Sequence, residues 1–279
     1  VVRGVECDAV GPNDDSANLA DGRLRSEDGT ALDYNEDRSG DSPTFEQPHA
    51  DVIKELWLRA VLEAVEASGY VLPVFWHWPS GANGAATATL ECEGASSDAV
   101  FALRKTFDRF GVRACWLVTV QGYPLDVYRA MRRWDDEIGL LCLTDDNGGW
   151  NEEKLKIQSI AVGRLSSMPM LLTLRPSGGR WRGWTSLYEM AETCGARMSV
   201  AKGGRQPGTS GHLFGTSHPF FPVRRDGSSF YVAELPYSVW APGTHTPESS
   251  LTPIIEQTAL RYGCLNLSAG VVDLMASAG

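Results

Sequence analysis

Between residues 49 and 69 the apolar side chains Val52, Leu56, Leu58, Val61, Leu62 and Val65 recur at helical spacing. That pattern predicts an amphipathic helix of about five turns, packed on the downstream domain. Beyond it the pattern alternates. Short apolar runs at 87–92, 113–120, 138–143, 169–174 and 198–201 read as buried strands, and the segments at 96–110, 125–134, 152–164 and 185–194 read as helices. Ser96, Ser97 and Asp98 offer N-caps to the first of these helices, and Gly111 and Gly195 stand where helices should stop. Two later strands are expected at 230–235 and 265–267. Strand, helix, strand at this spacing predicts a parallel sheet with helices outside it. The set suits a distorted or incomplete β/α barrel in the α/β class, with a doubly wound open sheet as the alternative.

The flanking segments read differently. Residues 1–47 mix Asp, Asn, Gly and Ser with few periodic apolar positions and predict an irregular acidic segment, separable from a domain over 48–279. The first 50 residues hold 12 acids against 4 bases, so they carry −8 of the total −10. The remainder is nearly neutral and shows no basic stripe, which argues against nucleic acid. With 43% hydrophobic residues in 279, the chain has material for a sizeable core. No apolar run reaches the ~18 residues of a membrane span, and no secretory pattern opens the chain. The sequence begins at Val1 without Met, which leaves an upstream domain or self-association open. Residues 203–247, rich in Gly, Pro, Ser and aromatics, predict long loops over one face of the sheet.

Cys7, Cys92, Cys115, Cys142, Cys194 and Cys264 show no C-x-x-C pair, which excludes a Cys-rich metal site. Cys92, Cys115 and Cys142 fall in apolar runs and read as small buried hydrophobes rather than disulfide partners. Trp57 and Trp116 read as core positions. Trp76, Trp78, Trp150, Trp181, Trp184 and Trp240 fall in loops or at strand ends, where they either cap the barrel or offer flat faces to sugar rings. No nucleophile elbow, P-loop or dinucleotide fingerprint is present.

The sharpest local chemistry is at Thr89-Leu90-Glu91-Cys92-Glu93-Gly94. It places two carboxylates at the C-terminal end of the first parallel strand, the end at which β/α barrels build their sites. Residues i and i+2 of a strand share a face, so Glu91 and Glu93 can point together into a pocket, raising each other's pKa or taking a cation. A solvated acidic strand end is the other reading. Asp145 and Asp146, with Asn147-Gly148-Gly149, have the composition of a turn, or complete an oxygen-only site for calcium or magnesium.

From about Leu72 to Leu274 the chain resembles the polysaccharide deacetylase superfamily. Glu91-Cys92-Glu93-Gly94 resembles the spaced form of that family's first acidic motif, with Glu for Asp at both positions. The stretch from Leu72 to Gly81 resembles an aromatic lead-in, Trp134-Asp135-Asp136-Glu137-Ile138-Gly139 resembles Gly-His-Glu-Ile-Gly, and Arg175-Pro176-Ser177-Gly178-Gly179 with Trp181 resembles Arg-x-Pro-x-Gly. The resemblance implies a distorted β/α barrel that removes acetyl groups from N-acetylated sugars with a divalent metal. It places Glu91 as general base, Arg175 as its partner, Glu93 as a metal ligand, and the protein in the cell envelope or outside the cell.

The departures concern the metal. Leu141 and Asp145 stand where the family has His-x-x-x-His, and Ser268-Ala269-Gly270 stands where a late histidine is expected. Imidazole ligands supply much of the zinc affinity and help acidify bound water, and leucine does neither. The first expectation is therefore a degenerate deacetylase-like domain without a cofactor, recognising carbohydrate through Trp76, Trp78, Trp150, Trp181 and His218. A divergent active hydrolase of C–N bonds, with a divalent cation on Glu93 and Asp145, is the alternative, and a structural or assembly protein the third. A direct contact between Arg175 and Glu91 is expected in either of the first two.

Overall fold

The computed structural model describes residues 47–73, 77–143, 151–177, 185–203, 210–212, 215–224, 226–240 and 248–277. Expectations for 1–46 lie outside these residues. Eight parallel strands form one sheet: β1 Ala85–Glu91, β2 Ala114–Val118, β3 Glu137–Cys142, β4 Thr173–Pro176, β5 Met198–Ser199, β6 Ala233–Glu234, β7 Val239–Trp240 and β8 Cys264–Gly270. Their order is β6-β5-β4-β3-β2-β1-β8-β7, all pairs parallel. The helices are α1 His49–Ala67, α2 Ser97–Arg109, α3 Leu125–Arg133, α4 Glu152–Ser166, α5 Ser186–Thr193, α6 Glu248–Leu260 and α7 Val271–Ser277.

One long-range contact shows that this sheet curls. Glu91 on β1 and Arg175 on β4 are separated by β2 and β3, which in a flat sheet means roughly 14 Å at ~4.8 Å per strand. They meet at 2.8 Å. Arg175 also reaches Ser268 on β8 and lies 4.1 Å from the Trp240 ring on β7, five strands away in the hydrogen-bonded order. The fold is thus an incomplete β/α barrel, open between β6 and β7, and not a doubly wound open sheet.

Period-two alternation sorts the strand residues into two layers. Ala88, Leu90, Trp116, Val118, Ile138, Leu140 and Leu174 face the helices and pack on Val100, Leu103, Val127, Met131, Leu155 and Leu187. Cys115, Leu117, Leu141, Val200, Leu235 and Cys264 form an inner cluster, joined at its edge by Trp78. Gly139 faces inward where there is no room for more, since a Cβ would stand 2.8 Å from Leu117 Cδ2 and 2.9 Å from Thr173 O. Ser96 caps α2 by accepting from Ala99 N, and Gly111 follows the helix at φ 65°.

The segment Trp134-Asp135-Asp136 proves architectural. Asp136 is buried, accepts from Ala114 N at 3.2 Å and Trp116 Nε1 at 2.9 Å, and pairs with Arg104 Nε at 3.1 Å, fastening α2 to the start of β2 and β3. The five described cysteines carry no disulfide, and Cys92, Cys115 and Cys142 are buried.

Two expectations are corrected, and two helices lie outside them. Residues 203–247, expected as long loops apart from a strand at 230–235, carry β6 inside that strand and also β7, which is two residues long and too short to show a period. The helices α6 and α7 carried no sequence expectation, α6 having Pro253 inside it. Finally, Trp57 is 70% exposed instead of core, because α1 meets the body through polar groups. Asp51 accepts from Thr216 Oγ1 at 2.6 Å, Ser217 N at 2.7 Å and Ser217 Oγ at 2.9 Å, and Glu55 pairs with Arg261.

Candidate functional site

Inward-facing residues at the C-terminal ends of the strands converge on Arg175. Its side chain is fully buried, its Nε lies 2.8 Å from Glu91 Oε1, and its Nη1 donates to Ser268 Oγ. The guanidinium carbon sits 4.3 Å from the Tyr237 ring centroid and 4.1 Å from that of Trp240. A delocalised cation against two aromatic faces is favourable, more so away from water. The Nε–H is not aligned on Glu91 for a hydrogen bond, and Nη2 has no hydrogen-bond partner. Gly203 makes the ring placement possible, since a Cβ there would overlap the Tyr237 ring.

The expected contact between Arg175 and Glu91 is therefore present, while the expected pairing of Glu91 with Glu93 is not. The strand ends at Glu91, so alternation does not carry on to Glu93, which is exposed and accepts from Ser177 Oγ at 2.9 Å. Burial pushes the Glu91 carboxyl above the usual carboxylate range; Arg175 opposes that, and the charges of Glu93 and Asp273 reinforce it. Asp273 belongs to the first turn of α7, close to Gly270, the register partner of Glu91. Three carboxylates are thus close enough to interact at this mouth, and Glu91 is the one in contact with the guanidinium.

These donors do not fit a zinc-like ion. Leu141 is buried beside Arg175, Ser268 is engaged by its guanidinium, and Glu91 already faces a cation. Among the described residues no group of three His, Cys, Asp or Glu is placed to hold a metal. Asp145 and Asp146 lie outside the described residues, as do Trp76, Trp150, Trp181 and Trp184.

The other two residues expected at this mouth are elsewhere. Trp78 Nε1 donates to Tyr262 O at 2.6 Å, and His218 Nε2 hydrogen-bonds Arg261 O at 2.9 Å, both just ahead of β8. Between them the His77 ring stacks on Tyr262 at 5.3 Å and approaches His218 at 5.5 Å. This is the N-terminal end of the sheet, about 20 Å along the seven-residue β1 from Glu91. Trp78 and His218 therefore cannot share one cleft with the Glu91–Arg175 pair. Of the residues that surround the pair, Trp240 and Ser268 carry a signal in the sequence, as a tryptophan at a strand end and as the place of an expected histidine, while Tyr237 and Asp273 carry none.

Beside the mouth, the connections after β1 and β2 enclose a cavity of about 220 Å³ lined by Cys92, Gly94, Ala95, Thr119, Gln121, Gly122 and Tyr123. Tyr123 spans it by donating to Cys92 O at 3.2 Å and Ala95 O at 3.0 Å.

No protein-family model and no curated protein matches the chain. Solved structures similar to it include the following two. One is a protein from Bordetella bronchiseptica assigned as a polysaccharide deacetylase involved in O-antigen biosynthesis, with 15% identity over 71% of this chain and 76% of that one and a TM-score of 0.48. The other is a mutant of a CE4-family pseudoenzyme with restored enzymatic activity, with 10% identity over 70% of this chain and 62% of that one and a TM-score of 0.40.

Proposed function

We propose that the chain is a polysaccharide deacetylase-like domain that recognises carbohydrate of the cell envelope or extracellular space without metal-dependent catalysis. The observation that carries this reading is that Leu141 is buried beside Arg175 and Ser268 is held by its guanidinium, whereas the Arg175–Glu91 contact belongs equally to the active alternative. By the motif resemblance, Glu91 stands at the general-base position, and Leu141 and Ser268 stand at or near histidine positions. A guanidinium held against Glu91 neutralises the carboxylate and lowers the demand for a second cation. A Glu carboxylate also sits about 1.5 Å further from the backbone than an Asp carboxylate, while catalytic constellations tolerate about 0.5 Å.

The test measures two quantities on the full chain: acetate release from chito-oligosaccharides and peptidoglycan fragments with zinc, manganese or magnesium added, and calorimetric binding of the same glycans. Saturable binding without acetate release is the expected result. Acetate release abolished by Glu91→Gln would install the hydrolase in its place, and absence of glycan binding together with absence of release would overturn carbohydrate recognition.

A further inference from the structure

The helix α1 is fastened to the body by one face only. Asp51 is buried, Glu55, Leu62 and Val65 are half-buried, and these four lie on one side of the helix at 100° per residue. On the opposite side Ile53, Leu56, Trp57, Ala60, Ala64 and Ala67 form an exposed stripe along a helix about 28 Å long. Size runs in one direction along it, with the three bulky residues in the N-terminal half and the three alanines in the C-terminal half.

We infer that this stripe is an interface between two copies of the chain, the α1 helices packing antiparallel about a two-fold axis. A two-fold contact uses the same patch on both partners, so the patch must complement itself. Antiparallel alignment centred between Ala60 and Val61 sets Trp57 of one copy over Ala64 of the other, twice, and the alanines let the axes approach to about 8–10 Å. Parallel alignment sets Trp57 on Trp57 and leaves the alanines facing a gap. The antiparallel alignment also lays Arg59 of one copy near Glu63 of the other, because both stand on the same flank of the stripe. Between Ile53 and Leu72 eight large apolar side chains are exposed by 43% to 94%. Of these, Ile53, Leu56 and Trp57 stand on the stripe itself, exposed by 47%, 71% and 70%, and large apolar side chains exposed in one line mark an interaction surface.

Sedimentation velocity of the full chain at micromolar concentration tests the inference, and a dimer is expected. Trp57→Glu should give a monomer whose far-UV circular dichroism matches the parent and whose thermal midpoint, unlike the parent's, does not rise with protein concentration. Ala64→Trp discriminates further: it adds apolar surface yet fills the recess for Trp57 of the other copy, so it too should dissociate the dimer. Arg59→Glu should weaken association by about tenfold or more, and Arg59→Glu with Glu63→Arg should recover it. A parent that is monomeric at all concentrations, a dimer that persists in both Trp57→Glu and Ala64→Trp, or a monomer that floats with anionic vesicles only when Trp57 is present would each overturn the inference.

Discussion

Leu141 and Arg175 are register partners across β3 and β4, and neither side chain reaches solvent. The leucine gives the guanidinium no acceptor, so the charge of Arg175 is balanced by Glu91, Ser268 and two aromatic faces alone. Arg175→Met leaves Glu91 buried without its counter-charge and should cost about 3–5 kcal/mol at neutral pH. The loss should shrink as pH falls and Glu91 takes up a proton. Glu91→Gln alone strands the fully buried guanidinium instead and should also be destabilising, while adding it to Arg175→Met should recover part of the loss. Denaturant titration of the two single variants and the double variant gives the coupling; strictly additive losses would mean that the contact is incidental.

His212 predicts an acid limit to stability. It is buried, and desolvation holds its pKa down at about 4 against the partial opposition of Asp51 and of a backbone hydrogen bond with Ile254. A histidine whose folded pKa is depressed binds fewer protons folded than unfolded, so stability rises with pH between about 4 and 6.5 and is lost as pH falls through that window. The loss is about 3 kcal/mol. His212→Gln, which does not titrate, should flatten this part of the curve of unfolding free energy against pH; an unchanged slope would remove His212 as its source.

Asp136→Asn should be among the most destabilising exposure-neutral changes in the barrel. It leaves Arg104, itself buried, without its carboxylate and weakens the contacts to Ala114 N and Trp116 Nε1. A cost of about 3 kcal/mol or more is expected, seen as a fall in thermal midpoint of roughly 10 °C for a chain of this size. A shift of one or two degrees would show that the pair is replaceable.

Gly203→Ala probes the packing of Tyr237 on Arg175. The added Cβ overlaps the ring and should cost about 1–3 kcal/mol by overpacking. The same substitution made on a Tyr237→Ala background should cost little, since the obstacle is gone. If both backgrounds suffer equally, the strain lies in the backbone at residue 203.

Much of this architecture was legible in the sequence because apolar period and capping chemistry act locally. The residues of β1, β2 and β3, the Ser96 cap and the stop at Gly111 all follow from that. The strand β7 was not, because two residues cannot display a period, and Pro253 hid α6 by removing a backbone donor. Trp57 misled for another reason: spacing reports that a helix has an apolar face, but not which face meets the body, and here buried Asp51 decided it. At the mouth, Glu91 and Arg175 were readable through motif resemblance. The placement of Trp78 and His218 was not, since a strand connects two ends and sequence proximity to β1 or β8 leaves open which end a loop residue serves.

The seam between β6 and β7 carries a mechanical meaning. Elsewhere the girth of the barrel is set by the backbone ladder, which any sequence forming these strands would reproduce. Across the seam it is set by Asn266, whose Nδ2 donates to Leu235 O, by Arg175 reaching from β4 to Trp240, and by one backbone bond from Tyr237 N to Lys202 O. The spans from Asn266 Nδ2 and Arg175 are side chains, with lengths chosen residue by residue. The aperture above Glu91 is accordingly an adjustable fitting on a fixed frame, and substitutions at a few inward positions can resize it without rewriting the fold.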